Sequence, residues 1–247
     1  MDEEWIAGIN PVLEALRAGR TIHKIWIAEQ TRGKQMQPII AEAKRLGIVV
    51  QSAERKKLDQ ISGDVRNQGV IAQVAAYRYA ELDELLAKAA QSGRPPAILL
   101  LDELEDPHNL GSILRTAECA GMHGVVIPKR RAVGLTPAVA KISAGAVEHV
   151  PVARAGNLAQ TIDRLKERGL WIAGAAAAGG QTLYDADFTV PLAILIGNEH
   201  RGLGRLVKEK CDFLVTLPML GQINSLNASM AAGILMFEVV RQRMART

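Results

Sequence analysis

Ala97-Ile98-Leu99-Leu100-Leu101-Asp102-Glu103-Leu104-Glu105-Asp106-Pro107-His108-Asn109-Leu110-Gly111-Ser112-Ile113-Leu114-Arg115 is the stretch that decides the fold. Five consecutive apolar residues with no alternation make a strand buried on both faces, and such strands belong in parallel sheets covered by helices on either side. Pro107 holds the residue before it extended, and Asn109 is suited to cap a helix over residues 110–120. Along that helix Ile113, Leu114 and Ala117 form an apolar face, while Ser112 and Arg115, three apart, share the opposite one. Ligands of such sheets sit beyond the carboxyl ends of the strands, so the turn after Leu101 is the first place to look for a site.

Outward from this stretch the same alternation repeats. Strands are predicted at residues 97–101, 124–127, 170–174, 193–196 and 213–217, and helices at 110–120, 137–144, 158–168, 203–209 and 226–244. Toward the N-terminus a smaller α/β unit precedes them. Asn10-Pro11 opens a helix that stops before Gly19, residues 23–28, 48–50 and 70–75 read as strands, and residues 35–46 and 54–61 read as helices. Residues 80–91 form a polar helix, and Ser92-Gly93-Arg94-Pro95-Pro96 has the composition of a linker. The chain therefore divides into a small domain over 1–76, a linking segment over 77–95 and a larger parallel-sheet domain over 96–247.

Composition bounds the function classes. An apolar fraction of 48% and a charged fraction of 23% describe an ordinary globular protein. Aromatics at 4% argue against nucleic-acid binding on rows of stacking rings. The net charge of +4 is spread along the chain and fits a polyanionic partner without demanding one. Two cysteines, Cys119 and Cys211, make neither a disulfide framework nor a zinc cluster, and Cys119 falls in a helical apolar pattern expected to bury it. The five histidines form no metal set. The acidic start Met1-Asp2-Glu3-Glu4 does not read as a secretory signal, and no apolar run approaches the ~20 residues of a membrane span, so a cytoplasmic location is expected.

Two further runs carry chemistry. In Ile194-Leu195-Ile196-Gly197-Asn198-Glu199-His200-Arg201-Gly202-Leu203, Gly197 ends an apolar strand and Glu199 stands at its exit, where a buried carboxylate needs a partner. The run lacks the Gly-Lys-Ser/Thr ending of a P-loop and the spacing of a dinucleotide fingerprint, which leaves a nucleotide-dependent enzyme with only its glycines for support. In Leu217-Pro218-Met219 and Ser225-Leu226-Asn227-Ala228-Ser229, a strand is left and the last helix begins. The small residues on that helix serve close packing, whereas Ser225, Asn227 and Ser229 add little to packing and suit a ligand's donors and acceptors. Gly174-Ala175-Ala176-Ala177-Ala178-Gly179-Gly180 reads equally as a flexible strand exit and as a surface for a flat ligand. His108 and His200 lie inside these runs, within reach of an RNA; His23, His123 and His149 read as structural or exposed.

In order and spacing, the three runs resemble the signature motifs of the SpoU (TrmH-type) RNA ribose 2′-O-methyltransferases of the SPOUT superfamily. Gly8-Ile9-Asn10-Pro11 through Leu16 and Asn67-Gln68-Gly69-Val70 resemble that family's N-terminal substrate-binding domain, related to ribosomal protein L30e. The resemblance implies an α/β protein with a SPOUT-type knotted C-terminal domain and an L30e-like α/β domain before it. It also implies S-adenosylmethionine as cofactor, a homodimer with sites at the subunit interface, and RNA as substrate. The layout is most similar to the 23S ribosomal RNA guanosine-2′-O-methyltransferases, with transfer RNA as the alternative target and a non-catalytic RNA-binding protein as the rival.

Carried over by residue, the resemblance assigns catalysis to Asn109 and Arg115 and the cofactor to the loops at Gly197, Leu217 and Leu226; the strand-end carboxylate Glu199 joins the catalytic set, and Asn198, Met219, Ser225 and Asn227 of the same loops join the cofactor set. A guanidinium with a pKa above ~12 makes a poor base. Arg115 is therefore expected to clamp a phosphate and stabilise charge on the ribose oxygen, with the proton leaving to the RNA or to Glu199.

Overall fold

The computed structural model describes residues 3–31, 33–63, 65–199 and 201–245, and the chain forms two compact units. The first comprises residues up to Arg78 together with Leu135–His149; the second comprises Tyr79–Gly134 and Val150 onward. This division differs from the one read off the sequence in two places. Residues 135–149, predicted within the large domain, join the small unit. The helix predicted within the linking segment joins the large one, because its apolar side has a core to cover.

The first unit is a four-stranded mixed sheet, ordered β1-β4-β2-β3, built from β1 (Glu3–Ala7), β2 (Ile22–Ala28), β3 (Val50–Ala53) and β4 (Val70–Ala75). The β1–β4 and β4–β2 pairs are antiparallel and the β2–β3 pair is parallel. Helices α1 (Ile9–Arg17), α2 (Gln37–Arg45), α3 (Arg55–Ser62) and α6 (Pro137–Ile142) belong to it. Gly19 and Gly47 take positive φ just after the ends of α1 and α2, the helix stops their positions suggest.

β1 has no counterpart in the sequence prediction, since its acidic start obscured the alternation of Trp5 and Ile6. The strand predicted at 48–50 lies instead at Val50–Ala53, with Val49 56% exposed, because Leu46-Gly47-Ile48-Val49 is consumed in turning out of α2. The segment at 135–149 is fastened by a buried pair: Arg20 Nη1 meets Glu148 Oε1 at 3.0 Å, the Tyr77 hydroxyl donates to the same oxygen at 3.0 Å, and the guanidinium lies over the Tyr77 ring.

The second unit is a seven-stranded sheet in the order β7-β6-β5-β10-β8-β11-β9, with every pair parallel. Its strands are β5 (Ala97–Leu101), β6 (Gly124–Pro128), β7 (Val152–Ala155), β8 (Trp171–Ala175), β9 (Gln181–Thr182), β10 (Leu192–Ile196) and β11 (Phe213–Thr216). Two of these, β7 and β9, were not anticipated: both are short edge strands whose few apolar residues give no run. β5 and β10 lie side by side in the centre and are wholly buried, each Leu or Ile contributing about 2 kcal/mol by leaving water.

Alternate side chains sort onto two faces. Ile98, Leu100, Ala193 and Leu195 pack with Leu85 of α4 (Leu82–Gln91), Ile162 of α7 (Leu158–Glu167) and Val207 of α8 (Arg205–Glu209). The opposite face is covered by α5 (Pro107–Cys119) and α9 (Ala228–Met244), which pack on each other. Three local expectations change. The N-cap of α5 is Asp106, whose carboxylate accepts from the His108 N–H at 2.9 Å, so Asn109 is inside the first turn with its side chain free for other work. Cys119 is exposed, because it shares a stripe with Arg115 one turn earlier rather than with the apolar face. The last helix starts at Ala228, two residues later than predicted, with Asn227 as its cap. Among the described residues no helix is long and apolar enough to cross a membrane.

Candidate functional site

Each predicted motif leaves the carboxyl end of a parallel strand: the first follows β5, the second β10 and the third β11. Gly197, first after β10, is where the chain folds back on itself. A Cβ there would sit 2.3 Å from the Gly202 carbonyl carbon and 2.5 Å from its oxygen, so no larger residue fits. The reversal is closed by paired backbone bonds between Asn198 and Gly202 (3.0 and 2.8 Å), with Gly202 at φ +67°. Two contacts tie this loop to β5's exit. Asn198 Nδ2 donates to the Glu103 carbonyl at 2.8 Å, and the Gly204 N–H donates to Asp102 Oδ2 at 3.0 Å. Burial raises the Asp102 carboxyl above its ordinary range, against the lowering effect of that N–H.

Held this way, the Glu199 carboxylate meets residues from both other motifs. Its Oε1 accepts from Asn109 Nδ2 at 2.7 Å, from Asn227 Nδ2 at 2.6 Å and, at 3.4 Å, from the Ala228 N–H. Asn227 Nδ2 also donates to Asn109 Oδ1 at 2.9 Å. On its other side Asn227 Oδ1 caps α9, accepting from the Ser229 N–H and hydroxyl and from the Met230 N–H. Asn109 is 3% exposed, so its amide depends on these partners. The outcome is a polar knot of three side chains, 90 and 118 residues apart in the chain, beside the end of the sheet. Among the described residues Glu199 Oε2 has no partner, which leaves one carboxylate oxygen for a ligand.

Next to this cluster opens a cleft of about 530 Å³. Its floor and walls are the exit of β8 at residues 175–178, residues 197–199 and 201–203 after β10, and Leu217, Met219 and residues 224–226 after β11. Of the residues expected to hold the cofactor, Gly197, Asn198, Leu217, Met219, Ser225 and Leu226 line the cleft. Asn227 does not; it belongs to the cluster with Asn109 and Glu199. Glu199 lines the cleft as well as joining the cluster, so it stands where the two meet. The backbone of residues 217–226 makes no hydrogen bond to any described residue, so its polar groups are unspent within the chain.

Arg115 stands apart from the cluster. It is exposed on α5, and no described residue pairs with it. His108 is exposed on the same helix, His23 is exposed, and His149 pairs with Glu14 at 2.9 Å. His123 is buried, its Nδ1 accepting the Ala97 N–H and its Nε2 meeting Ser92 Oγ, a structural peg at the far end of β5. His200 lies outside the described residues. Among the described residues no group of three or more His, Cys, Asp or Glu could hold a metal ion.

Sequence reasoning passed over Asp102 and Glu103. Asp102 carried a usable signal, a carboxylate directly after five buried residues; Glu103 acts through its backbone and carried none. The alanines at 175–178, left between two readings, form a wall of the cleft.

The chain matches the SpoU rRNA methylase family over residues 96–237 and the RNA 2′-O ribose methyltransferase substrate-binding family over residues 5–80. A Bacillus subtilis (strain 168) protein named as a TrmH family tRNA/rRNA methyltransferase, YacO, is 56% identical over 97% of this chain and 96% of its own. The crystal structure of the SpoU methyltransferase AviRb from Streptomyces viridochromogenes, in complex with the cofactor AdoMet, agrees with a TM-score of 0.83 at 27% identity, covering 98% of this chain and 91% of that one. An AdoMet-bound rRNA methyltransferase from Sinorhizobium meliloti agrees with a TM-score of 0.78 at 25% identity, over 97% and 87%. With the clustered motifs inside one match and strands β2–β4 of the mixed sheet inside the other, the chain belongs to the SpoU (TrmH) family of RNA 2′-O-ribose methyltransferases, whose methyl donor is S-adenosylmethionine.

Proposed function

We propose that this protein methylates a guanosine ribose 2′-hydroxyl of large-subunit ribosomal RNA, using S-adenosylmethionine held in the cleft between β8, β10 and β11. The observation that carries the reading is the meeting of Asn109, Glu199 and Asn227 at the mouth of that cleft. The cleft's chemistry suits the cofactor. Alanines 175–178, Leu217 and Leu226 offer apolar walls for a purine, and the unspent backbone groups of residues 217–226 offer donors and acceptors for its edge and for an amino-acid tail. Bound S-adenosylmethionine supplies an electrophilic methyl group on a sulfonium.

The chain's residues do the rest. Asn109 and Asn227 hold Glu199 through Oε1, so that Oε2 points its lone pairs at an incoming hydroxyl and takes its proton. Arg115, exposed and unpaired, clamps the adjoining phosphate through its planar fork and fixes the ribose for in-line attack, and such positioning supplies up to ~7–11 kcal/mol of barrier lowering.

A homodimer fits the last helix. Met230, Ile234, Phe237 and Met244 form one exposed apolar stripe on α9, on the helix pair that carries Asn109 and Arg115, and a second copy covering it would bring Arg115 to the partner's site. The cytoplasm is the compartment where such an RNA substrate is met, and the knotted crossing of the family's C-terminal domain belongs to the same reading.

Transfer RNA is the second target, since the Bacillus relative's name covers both classes. Incubating the protein with tritiated S-adenosylmethionine and, separately, protein-free ribosomal RNA and transfer RNA decides between them. Label at one large-subunit guanosine is expected. Label in transfer RNA alone overturns the target, and no calorimetric binding of S-adenosylmethionine overturns the enzyme in favour of a non-catalytic RNA-binding protein.

A further inference from the structure

The turn leaving β6, Pro128-Lys129-Arg130-Arg131, was not absorbed by the site, yet it is built with care. Arg131 and Glu103 both take φ +56°, a left-handed conformation that non-glycine residues adopt only when their surroundings enforce it. The two side chains pair, Arg131 Nη1 to Glu103 Oε1 at 2.8 Å, and the Val133 N–H donates to the Leu104 carbonyl at 2.9 Å. Glu103 is also the residue whose carbonyl receives Asn198. The basic turn is therefore riveted to the same short segment that positions the Glu199 loop.

Around it, among the described residues, are cations with no acid to neutralise them. Lys129, Arg130 and Arg154 are exposed, and among the described residues none meets a carboxylate. Arg154 is nonetheless held in place: its guanidinium lies 4.7 Å from the Tyr79 ring centroid and donates to the Lys129 carbonyl at 3.3 Å. That contact brings the end of β7 against the end of β6. Several other cations of this unit are spent on acids, Arg168 on Asp83, Lys166 on Asp212, Lys210 on Asp163 and Arg241 on Glu238, whereas these three stand together without one. Arg154 also lines a second cleft of about 420 Å³, bordered by Asn157, Gln160, Arg164 and Glu81, where the Asn157 and Gln160 amides offer neutral donors suited to ribose and phosphate oxygens.

We infer that Lys129, Arg130 and Arg154 form a phosphate rail that holds the RNA backbone flanking the target nucleotide. The inference deepens the proposed methyl transfer and rests on it for the identity of the polyanion. A rail at the carboxyl ends of β6 and β7 lies along the same rim of the sheet as the cleft, and its tether through Glu103 keeps rail and Glu199 loop in fixed register. Because it touches phosphates and not base edges, it adds affinity without adding sequence preference.

The test uses the full chain and a fluorescein-labelled mixed-sequence RNA hairpin, followed by anisotropy across a salt series. For the double variant Lys129→Ala/Arg130→Ala we expect binding about tenfold weaker at ~0.1 M salt, with the slope of log affinity against log salt flattened by about 0.7–0.9 for each charge removed. Arg154→Ala is expected to remove a further charge's worth. The loss should be equal on a second hairpin of unrelated sequence, while the unfolding midpoint and calorimetric binding of S-adenosylmethionine stay unchanged. Unaltered affinity and slope in both variants overturn the rail, as does a loss confined to one sequence, which would mean base readout. Failure of the wild-type protein to bind S-adenosylmethionine overturns the methyl-transfer reading instead, and the anisotropy arm still judges the rail.

Discussion

Asn227 is the residue on which fold and site depend together, and replacing it separates two roles. In Asn227→Ala, α9 loses the side-chain oxygen that accepts from Ser229 and Met230, a cap worth about 1 kcal/mol. At the same time Asn109 Oδ1, in a residue 3% exposed, loses its donor, which costs about 1–2 kcal/mol for a buried acceptor left unmet. Together these predict about 2–3 kcal/mol of destabilisation, an unfolding midpoint lowered by about 5–10 °C in a chain of this size. Asn227→Asp keeps an oxygen for the cap but removes the donor and sets a second carboxylate against Glu199 Oε1, which now lies 2.6 Å from Asn227 Nδ2. Its stability should approach wild type in acid, where the two carboxylates share a proton, and fall as the pH rises through neutrality. Differential scanning fluorimetry of both variants from about pH 5 to 8 reads this directly. If Asn227→Ala loses less than about 0.5 kcal/mol, or Asn227→Asp shows no pH dependence beyond wild type, the cluster is not the fastening described above.

Gly197→Ala should abolish cofactor binding by calorimetry while leaving the sheet folded by circular dichroism, because its Cβ would press 2.3 Å from the Gly202 backbone and force the loop open. His123 predicts an acid limit to stability. Burial, with Arg94 and Arg243 nearby, lowers its pKa to about 4 from an ordinary 6.5, so the folded state binds fewer protons and stability present above pH 6.5 is lost as the pH falls toward 4. The loss is about 3 kcal/mol over that window, and His123→Asn should flatten the curve of midpoint against pH. Phe237→Glu, which puts a charge into the exposed stripe of α9, should convert the proposed dimer to a monomer in light scattering, and transfer activity should fall with it. Arg115→Lys keeps the charge but not the fork, so single-turnover methylation should fall by about tenfold or more, and full activity would exclude a bidentate clamp.

How much of this was legible beforehand depended on whether a signal was local. β5 and β10 announced themselves, since five apolar residues in a row have few structural meanings, and β4 and β5 match their predicted bounds. The strand at Val50–Ala53 was displaced because its outward residues Gln51 and Ser52 are polar, whereas the apolar residues before it are spent leaving a helix. The grouping of residues 135–149 with the small unit left no local trace at all. A helix there is predictable from Thr136-Pro137, but the sheet on which it packs is chosen by partners such as Arg20 and Tyr77, more than fifty residues away in the chain.

The same distinction explains the site. Gly197, Leu217, Met219 and Ser225, assigned to the cofactor by the family resemblance, all line the cleft, and they follow strand exits of a parallel sheet, where ligands go whatever the ligand. What could not be read is that Asn109 and Asn227 spend their amides on each other and on Glu199. Asparagine before or early in a helix suits a cap equally well, and one of the two is a cap while the other is not. The choice is made by Asp106, which takes the capping role on α5 and so releases Asn109 to face inward, where only the loop held by Gly197 can supply a carboxylate. Replacing Asp106 with alanine would therefore act on the cluster at one remove: α5 would lose about 1 kcal/mol of capping, and Asn109 would become an alternative oxygen for the freed His108 N–H. Weaker cofactor-dependent turnover in Asp106→Ala, restored by Asp106→Ser or Asp106→Asn, would show that the cap keeps Asn109 on Glu199; turnover unaffected by a measurable loss of helix stability would show that it does not.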